Sequence, residues 1–332
     1  MIKQFSARTL GSAVLVRIAL ATACFAPLAQ ADWKGWNVHP AGYPVTVAME
    51  SFIKHVKKAT DGRVSGRIYN GAILGNQEDA IQMMQVGGID FAEFNLGPIG
   101  LSVPEVNVVS LPFIFRSVHQ MRHVMYGPVG DKLSKAMAKQ GIISLAWYES
   151  GSRSFYNTSH PINKPTDMTG MKIRVMKNAL YVGMVEALGG NATPMDYSEV
   201  YQSLKTGVID GAENNWPSYD SSNHFEVAKY YSLTQHLIMP ETLSISSKAW
   251  AQLSPKDQKV VRKAAQDSAM LERKLWAEKV KDSRKKLIAD GVIVNEIKDK
   301  AAFQDAMQPV YVQAAKDTPS LKPLIEQIRN TK

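Results

Sequence analysis

A fourteen-residue segment that occurs twice constrains the fold of this chain more than any other feature. Residues 82–95 and 202–215 are identical at seven of fourteen positions when aligned at an offset of 120. Each copy predicts a helix that ends at a glycine, then a turn, then a strand with polar residues at its far end. A period of 120 residues is too long for a solenoid repeat. The pattern therefore favours two similar α/β lobes that face each other across a cleft.

A short cationic strand precedes the second copy. In residues 171–175, Lys172 and Arg174 alternate with apolar residues, so one face of the strand is apolar and the other positively charged. An arginine held on a strand presents a rigid planar fork that suits a carboxylate. For this strand taken by itself, an exposed arginine on an edge strand is the alternative interpretation.

Residues 1–31 have the form of a secretory signal peptide. Basic residues stand near the start, residues 13–28 are largely apolar, and Ala29-Gln-Ala31 has the small-x-small form of a cleavage site. Cys24, the only cysteine, lies inside this segment. A lipoprotein would be cleaved before Cys24, but Ala21 stands where a leucine is expected. We therefore expect cleavage after Ala31 and export to the periplasm.

The mature chain would have 301 of the 332 residues and no cysteine. Without disulfides it depends on hydrophobic cores, and a chain of this size can form one in each of two lobes. Cleavage removes three cations and no anions, which lowers the formal net charge from +9 to +6. No basic run typical of nucleic-acid binding is present, and a moderate positive charge favours attraction of small anions. No later segment of the sequence is apolar enough to predict a membrane span.

The order of predicted elements is typical of an α/β fold. The main ones are strands at 36–38, 64–69, 142–147 and 171–175, and helices at 45–60, 119–140 and 179–188. Ser254 as N-cap and Pro255 at the first helical position begin a helix whose periodicity continues to Gly291. Such a helix spans about 54 Å. It is too long for one lobe, which predicts a brace across both.

The sequence contains no familiar catalytic motif. A nucleophile elbow, a zinc-protease helix, a phosphate-binding loop and a dinucleotide fingerprint are all missing, and the mature chain has no thiol. His119 and His123 are four residues apart, but no third zinc ligand accompanies them. The sequence therefore predicts a protein that is not an enzyme and that has no metal site and no cofactor.

Several segments together resemble the extracytoplasmic solute receptors of tripartite ATP-independent periplasmic (TRAP) transporters. They are Leu74-Gly-Asn-Gln-Glu78, the Gly-x-Ile-Asp unit of both copies, residues 170–175, residues 197–204 and the long late helix. The resemblance covers essentially all of the mature chain. It implies an α/β, two-lobed periplasmic binding protein fold (type II-like) that is hinged by strands and braced by the long helix. It also implies a monomer that closes on one organic acid and delivers it to an ion-gradient-driven membrane permease.

The resemblance also implies lobe boundaries and a carboxylate clamp. Lobe I would comprise residues 32–151 plus 239–280, and lobe II residues 152–238 plus 281–332. Arg174 corresponds to the arginine that clamps the ligand carboxylate, Arg153 to a second arginine and Asn214 to the asparagine that completes the cage. For Arg153, a structural salt bridge at the hinge is the alternative.

Further candidates surround this clamp. Tyr197 lies where an aromatic residue contacts the ligand in similar receptors, and Asn215 and Trp216 follow the clamp asparagine. Positions expected on first-lobe loops and strand ends are Glu78, Asn95, His39 and Tyr43, and Tyr219 belongs to the second lobe. For Trp216, His39, Tyr43 and Tyr219, structural packing is the alternative interpretation.

The expected ligand is a sugar acid. Residues 214–219 and 230–240 resemble receptors for hexuronates such as D-glucuronate or D-galacturonate. Glu78 at the far end of the site would repel a second carboxylate, which argues against C4-dicarboxylates. A C4-dicarboxylate or another carboxylate remains an alternative ligand. A periplasmic uronate-processing enzyme is the alternative of a different class, and a receptor that feeds a signalling system is a third.

Overall fold

The computed structural model describes residues 31–332, so residues 1–30 of the predicted signal peptide lie outside the described range. In the described range nine strands form one mixed sheet. They are β1 (Ala31–Trp36), β2 (Val64–Tyr69), β3 (Phe91–Asn95), β4 (Ile142–Asn157), β5 (Lys172–Val175), β6 (Asn191–Pro194), β7 (Gly211–Asn214), β8 (Tyr230–Ser246) and β9 (Ile293–Glu296).

The sheet is nearly symmetric about two long central strands. Its order is β2-β1-β3-β8-β4-β7-β5-β6, with β9 beside β8. The central strands β8 and β4 pair antiparallel with each other. Strand β8 also pairs antiparallel with β3, and β4 with β7. The three strands on each flank pair parallel among themselves. This arrangement is the two-lobed α/β fold that the sequence predicts, with β4 and β8 running through both halves.

Helices cover the sheet. They are α1 (Pro44–Ala59), α2 (Gln77–Val86), α3 (Leu96–Ile99), α4 (Val118–Met125), α5 (Pro128–Lys139), α6 (Ala179–Ala187), α7 (Val200–Lys205), α8 (Trp216–Ser221), α9 (His224–Val227), α10 (Ser247–Ala251), α11 (Pro255–Ala289), α12 (Lys300–Ala306), α13 (Gln308–Asp317) and α14 (Leu321–Asn330). Short 3₁₀ turns lie at Pro104–Ser110, Pro165–Met168 and Tyr197–Glu199. Among residues 31–332, none of these helices is long and apolar enough to cross a membrane.

The two copies of the repeat have matching structures. Helix α2 is followed by Gly87 and α7 by Gly207, with φ angles of 77° and 73° in the left-handed region that glycine adopts without strain. After the turn, the Asp90 carboxylate accepts a hydrogen bond from Lys34 N at 2.8 Å, and Asp210 accepts one from Lys172 N at 2.8 Å. Strands β3 and β7 then lead into the cleft. The repeated sequence therefore encodes a repeated helix–turn–strand unit, as predicted.

Helix α11 is the predicted brace. It has 35 residues and begins at the predicted cap, where Ser254 accepts a hydrogen bond from Asp257 N. Near its start, Asp257 pairs with Arg63 beside β2. Near its end, Lys279 and Lys286 pair with Asp220 on α8. One helix is thereby anchored to both halves of the sheet.

Some predicted element bounds differ from the structure. The first strand is β1 at Ala31–Trp36 rather than residues 36–38. The single helix predicted at 119–140 is two helices, α4 and α5, because Gly127 and Pro128 interrupt it. The strand predicted at 142–147 continues to Asn157, with register shifts near Gly151 that let it pass between the two halves.

Candidate functional site

A cavity of about 290 Å³ lies between the two halves of the sheet. Its size is near the lower end of the range of about 300–1,000 Å³ for small-molecule sites. Side chains from both flanks of the sheet and from the starts of two helical segments line it. Eight predicted site residues are among them: Arg174, Arg153, Asn214, Glu78, Tyr197, Asn95, His39 and Asn215.

Arg174 is a buried cation without a carboxylate partner in the described part of the chain. It lies on β5 and is only 4% exposed. Its Nε and Nη2 atoms donate to the carbonyl oxygen of Met195 at 3.0 and 2.8 Å. Burial lowers the pKa of Arg174, which means that burying its charge is costly. A ligand carboxylate is the partner that would neutralise this charge.

Arg153, by contrast, already has a partner. It lies on β4, and its Nε and Nη2 atoms donate to the Glu213 carboxylate on β7 at 2.6 and 2.8 Å. Nη2 also donates to the Glu213 carbonyl oxygen. The structural salt bridge left open by the sequence is therefore present, although Arg153 also lines the cavity.

Three asparagines are fixed by local backbone geometry. Asn95 and Asn215 occupy equivalent positions in the two repeat copies, and each caps a short helix, accepting from Gly97 N and Ser218 N respectively. The Oδ1 atom of Asn214 accepts from Asn215 N at 2.9 Å. Its amide group is thereby oriented, with Nδ2 left as a potential donor to a ligand.

Two aromatic rings complete the wall. The Tyr197 hydroxyl donates to Ser218 O at 3.1 Å, and its ring centroid lies 5.9 Å from the Arg174 guanidinium carbon. His39 is stacked on Tyr43 with ring centroids 3.8 Å apart. Burial, and then the charge of Arg153, lower the pKa of His39 to about 3, so the ring is neutral at pH 7.

The structure places the remaining three predicted residues outside the cavity lining. Tyr43 lies behind His39, and its hydroxyl is 2.9 Å from Ser218 Oγ. Trp216 is stacked on Tyr231 with ring centroids 4.1 Å apart. Tyr219 is fully buried and hydrogen bonds to the Ala228 carbonyl oxygen. All three belong to buried apolar clusters, which is the packing alternative considered above.

Two buried acids in the wall were not predicted. Glu93 on β3 and Glu241 on β8 line the cavity and are 1% and 3% exposed. The sequence does contain a signal that could have identified Glu93 as a site residue, since Glu93 matches Glu213 in the other repeat copy. For Glu241 we find none, because it lies in a long strand whose neighbours are mostly apolar.

The comparisons with known proteins match nearly the whole described chain. Residues 36–317 match the family described as bacterial extracellular solute-binding protein, family 7. The chain belongs to this family. A relative, a solute-binding protein of Chromohalobacter salexigens, is 53% identical over 303 residues, which are 91% of this chain and 90% of the relative.

Two solved structures resemble the fold closely. A TRAP periplasmic solute-binding protein from Chromohalobacter salexigens with bound D-glucuronate has a TM-score of 0.90 and 52% identity, covering 91% of this chain and all of the other. One from Sulfitobacter sp. NAS-14.1 with bound β-D-galacturonate has a TM-score of 0.89 and 52% identity, covering 90% and 99%. This family 7 protein is therefore a solute-binding protein of the TRAP type.

Proposed function

We propose that this family 7 protein is a periplasmic receptor that captures a uronate, D-glucuronate or D-galacturonate, and delivers it to a TRAP membrane permease. The observation that carries the proposal is Arg174, a buried guanidinium that lines the cavity and has, among the described residues, a carbonyl oxygen and no carboxylate as partner. The uronates bound in the two similar structures support the choice of ligand.

The roles proposed for the other residues follow from what they have left to offer. Arg174 binds the ligand carboxylate through two parallel hydrogen bonds, and the free amide donor of Asn214 adds a third. Tyr197 packs against the sugar ring. Glu78, Asn95 and Asn215 offer polar groups to the hydroxyls, and neutral His39 does so as well. Tyr43, Trp216 and Tyr219 support this wall from behind.

Export and domain division belong to the same proposal. Residues 1–31 direct export and are removed, and the cavity then operates in the periplasm. Lobe I is residues 32–151 plus 239–280 and lobe II is residues 152–238 plus 281–332, with β4 and β8 as the hinge strands. Ligand binding would stabilise the closed form of the two lobes.

The first test is Arg174→Ala. Each charge-assisted hydrogen bond is worth about 1.5–3 kcal/mol, so loss of the clamp should weaken uronate binding at least about 100-fold. The variant should stay folded, since no buried carboxylate loses its partner. Isothermal titration of residues 32–332 with D-glucuronate and D-galacturonate measures the affinity. Unchanged affinity in the variant would rule out the clamp.

Arg153→Ala is the matched contrast. It removes a second arginine from the same cavity but leaves Glu213 buried without its cation, so it should lower the unfolding temperature as well as the affinity for the ligand.

A thermal-shift screen of the wild type against uronates, aldonates and C4-dicarboxylates tests the ligand class, since a ligand at 100 times its Kd adds about 2.7 kcal/mol to the free energy of unfolding. Recovery of the bound acid intact by mass spectrometry separates a receptor from a uronate-processing enzyme.

A further inference from the structure

Glu93 and Glu241 form a pair of buried acids with no cation of their own. Asn95 pairs with Glu241 across β3 and β8, so Glu93 and Glu241 lie on one face of the sheet, diagonally opposed on adjacent strands. Among residues 31–332, neither carboxylate oxygen of Glu93 has a hydrogen-bond partner, and one oxygen of Glu241 also lacks one. Two ionised carboxylates in this environment would repel each other without compensation.

Other ionisable groups near the pair do not supply that compensation. Those near it are Arg153 and Tyr148 on β4, Glu272 on α11, and Tyr43 and His39 just before α1, while Glu149 on β4 lies near Glu272. Arg153 is already held by Glu213 and Glu149 by Arg122. Glu272 is fully buried, and within the described residues both of its oxygens are unpaired. Neutral His39 adds no charge.

With Glu272 protonated, as its complete burial favours, one arrangement of protons balances the charges of the buried residues. Without a ligand anion the buried cations are Arg153 and Arg174, and Glu213 supplies one negative charge. One further negative charge is needed, which the pair supplies if it holds a single proton between its two carboxyls. When a ligand brings its own carboxylate to Arg174, the negative charge of the Glu93–Glu241 pair is no longer balanced by a cation.

We propose that the cavity binds a proton together with its acid: Glu93 and Glu241 share one proton in the empty receptor and take up a second from water when the ligand anion binds. The proposal rests on the proposed function for the identity of the anion. No bond other than O–H is made, and the proton comes from the solvent or buffer. The doubly protonated pair can then donate hydrogen bonds to the hydroxyl groups of a neutral polyol. It carries no positive charge that would attract a second ligand carboxylate.

The proton affinity of the pair fits this role. Burial raises the pKa of Glu241 to about 7, and burial followed by the neighbouring Glu241 raises that of Glu93. An incoming anion would raise both further, so the complex holds more protons than the free receptor above pH 7. Affinity should therefore be constant below pH 7 and fall by up to tenfold for each pH unit above it. The ligand carboxyl itself, titrating near pH 4, stays ionised throughout.

Calorimetry in two buffers of different ionisation enthalpy tests this directly. With D-glucuronate at pH 8, the wild type should take up between half a proton and one proton per ligand. Uptake should be lost in Glu93→Gln/Glu241→Gln. It should persist in Glu272→Gln, the matched control, which removes a buried acid outside the cavity lining. No uptake in the wild type, or undiminished uptake in the double variant, would overturn the proposal.

Infrared spectroscopy of the ligand-free proteins decides the matter even if the double variant no longer binds. Because Glu272 is a further buried acid whose pKa is raised by burial, the comparison is made in Glu272→Gln, where a protonated-carboxyl band that titrates between about pH 6 and 9 should come from the pair alone. The band should be missing in Glu93→Gln/Glu241→Gln/Glu272→Gln, and the same titrating band in that triple variant would refute the pair. This readout needs no ligand, so failure of uronates to bind would count only against the proposed function.

Discussion

The two buried arginines of the cavity differ in whether they have a carboxylate partner, and Glu213 causes this difference. It neutralises Arg153 and leaves Arg174 without a carboxylate partner in the described residues. Glu213→Gln keeps the shape of the side chain but leaves Arg153 as an unpaired buried cation. We expect the free energy of unfolding at pH 7 to fall by about 3–5 kcal/mol, measured by urea denaturation. The exposed Glu186→Gln on α6 is the control and should stay within about 0.5 kcal/mol of the wild type.

Because of Glu213, we also expect the stability of the protein to change at acid pH. Although burial acts in the opposite direction, the charge of Arg153 lowers the pKa of Glu213 to about 2. An acid with a lowered pKa stabilises the fold above its unfolded pKa, and this contribution is lost as the pH falls toward the folded pKa. The stability gap between the wild type and Glu213→Gln should thus narrow by about 3 kcal/mol between pH 5 and 2. Urea midpoints at several pH values measure it; a constant gap would contradict the assignment.

Whether a site residue can be predicted from sequence depends on its local pattern. Arg174 is predictable because it alternates with apolar residues on a short strand before the repeat. Tyr219 and Trp216 are not distinguishable from ligand-contacting aromatics, because their burial is decided by tertiary packing against Tyr231 on β8, which the pattern of their own segment does not record. Glu241 faces the cavity only because β8 pairs with β3, a long-range pairing that no local pattern records.

At the scale of elements, α11 depends on its anchor at Asp220. This α8 carboxylate is buried and accepts hydrogen bonds from Lys279, Ser283 and Lys286. Asp220→Asn removes the charge that holds the end of α11 and should lower the unfolding free energy by about 1–3 kcal/mol. Lys263→Ala, which breaks an exposed pair on the same helix, should cost less than about 1 kcal/mol. Equal losses of unfolding free energy in the two variants would mean that Asp220 does not anchor α11.

Helix α11 was predictable in length and start, since its cap and periodicity are local signals. Strands β4 and β8 were only partly predictable. Each is buried along most of its length and has few alternating polar positions, so its periodicity does not show where it ends. The break between α4 and α5 was marked by Gly127 and Pro128, but the helical pattern on both sides obscured it.

At the scale of the whole molecule, the repeat extends further in the structure than in the sequence. Asn76 and Asp196 are also 120 residues apart, and each lies at the start of a helical segment in its own half. Asn76 Nδ2 donates to Asp196 Oδ2 at 3.2 Å, so equivalent positions of the two halves meet across the cleft. A contact between equivalent positions lies close to the axis that relates two similar units. The sequence predicted two facing lobes, but it could not show that their cap residues touch.

This contact predicts how the cleft can be opened. Asn76→Asp keeps a good helix cap but places a carboxylate against Asp196, which should destabilise the closed form. A single hydrogen bond of about 0.5–1.5 kcal/mol is lost and repulsion is added, so ligand should dissociate roughly tenfold faster. Asp196→Asn in the same molecule restores a donor and an acceptor with the roles exchanged, and should recover most of the affinity. Stopped-flow dissociation and solution scattering would measure the rate and the opening. If the double exchange restores nothing, the contact does not hold the lobes together.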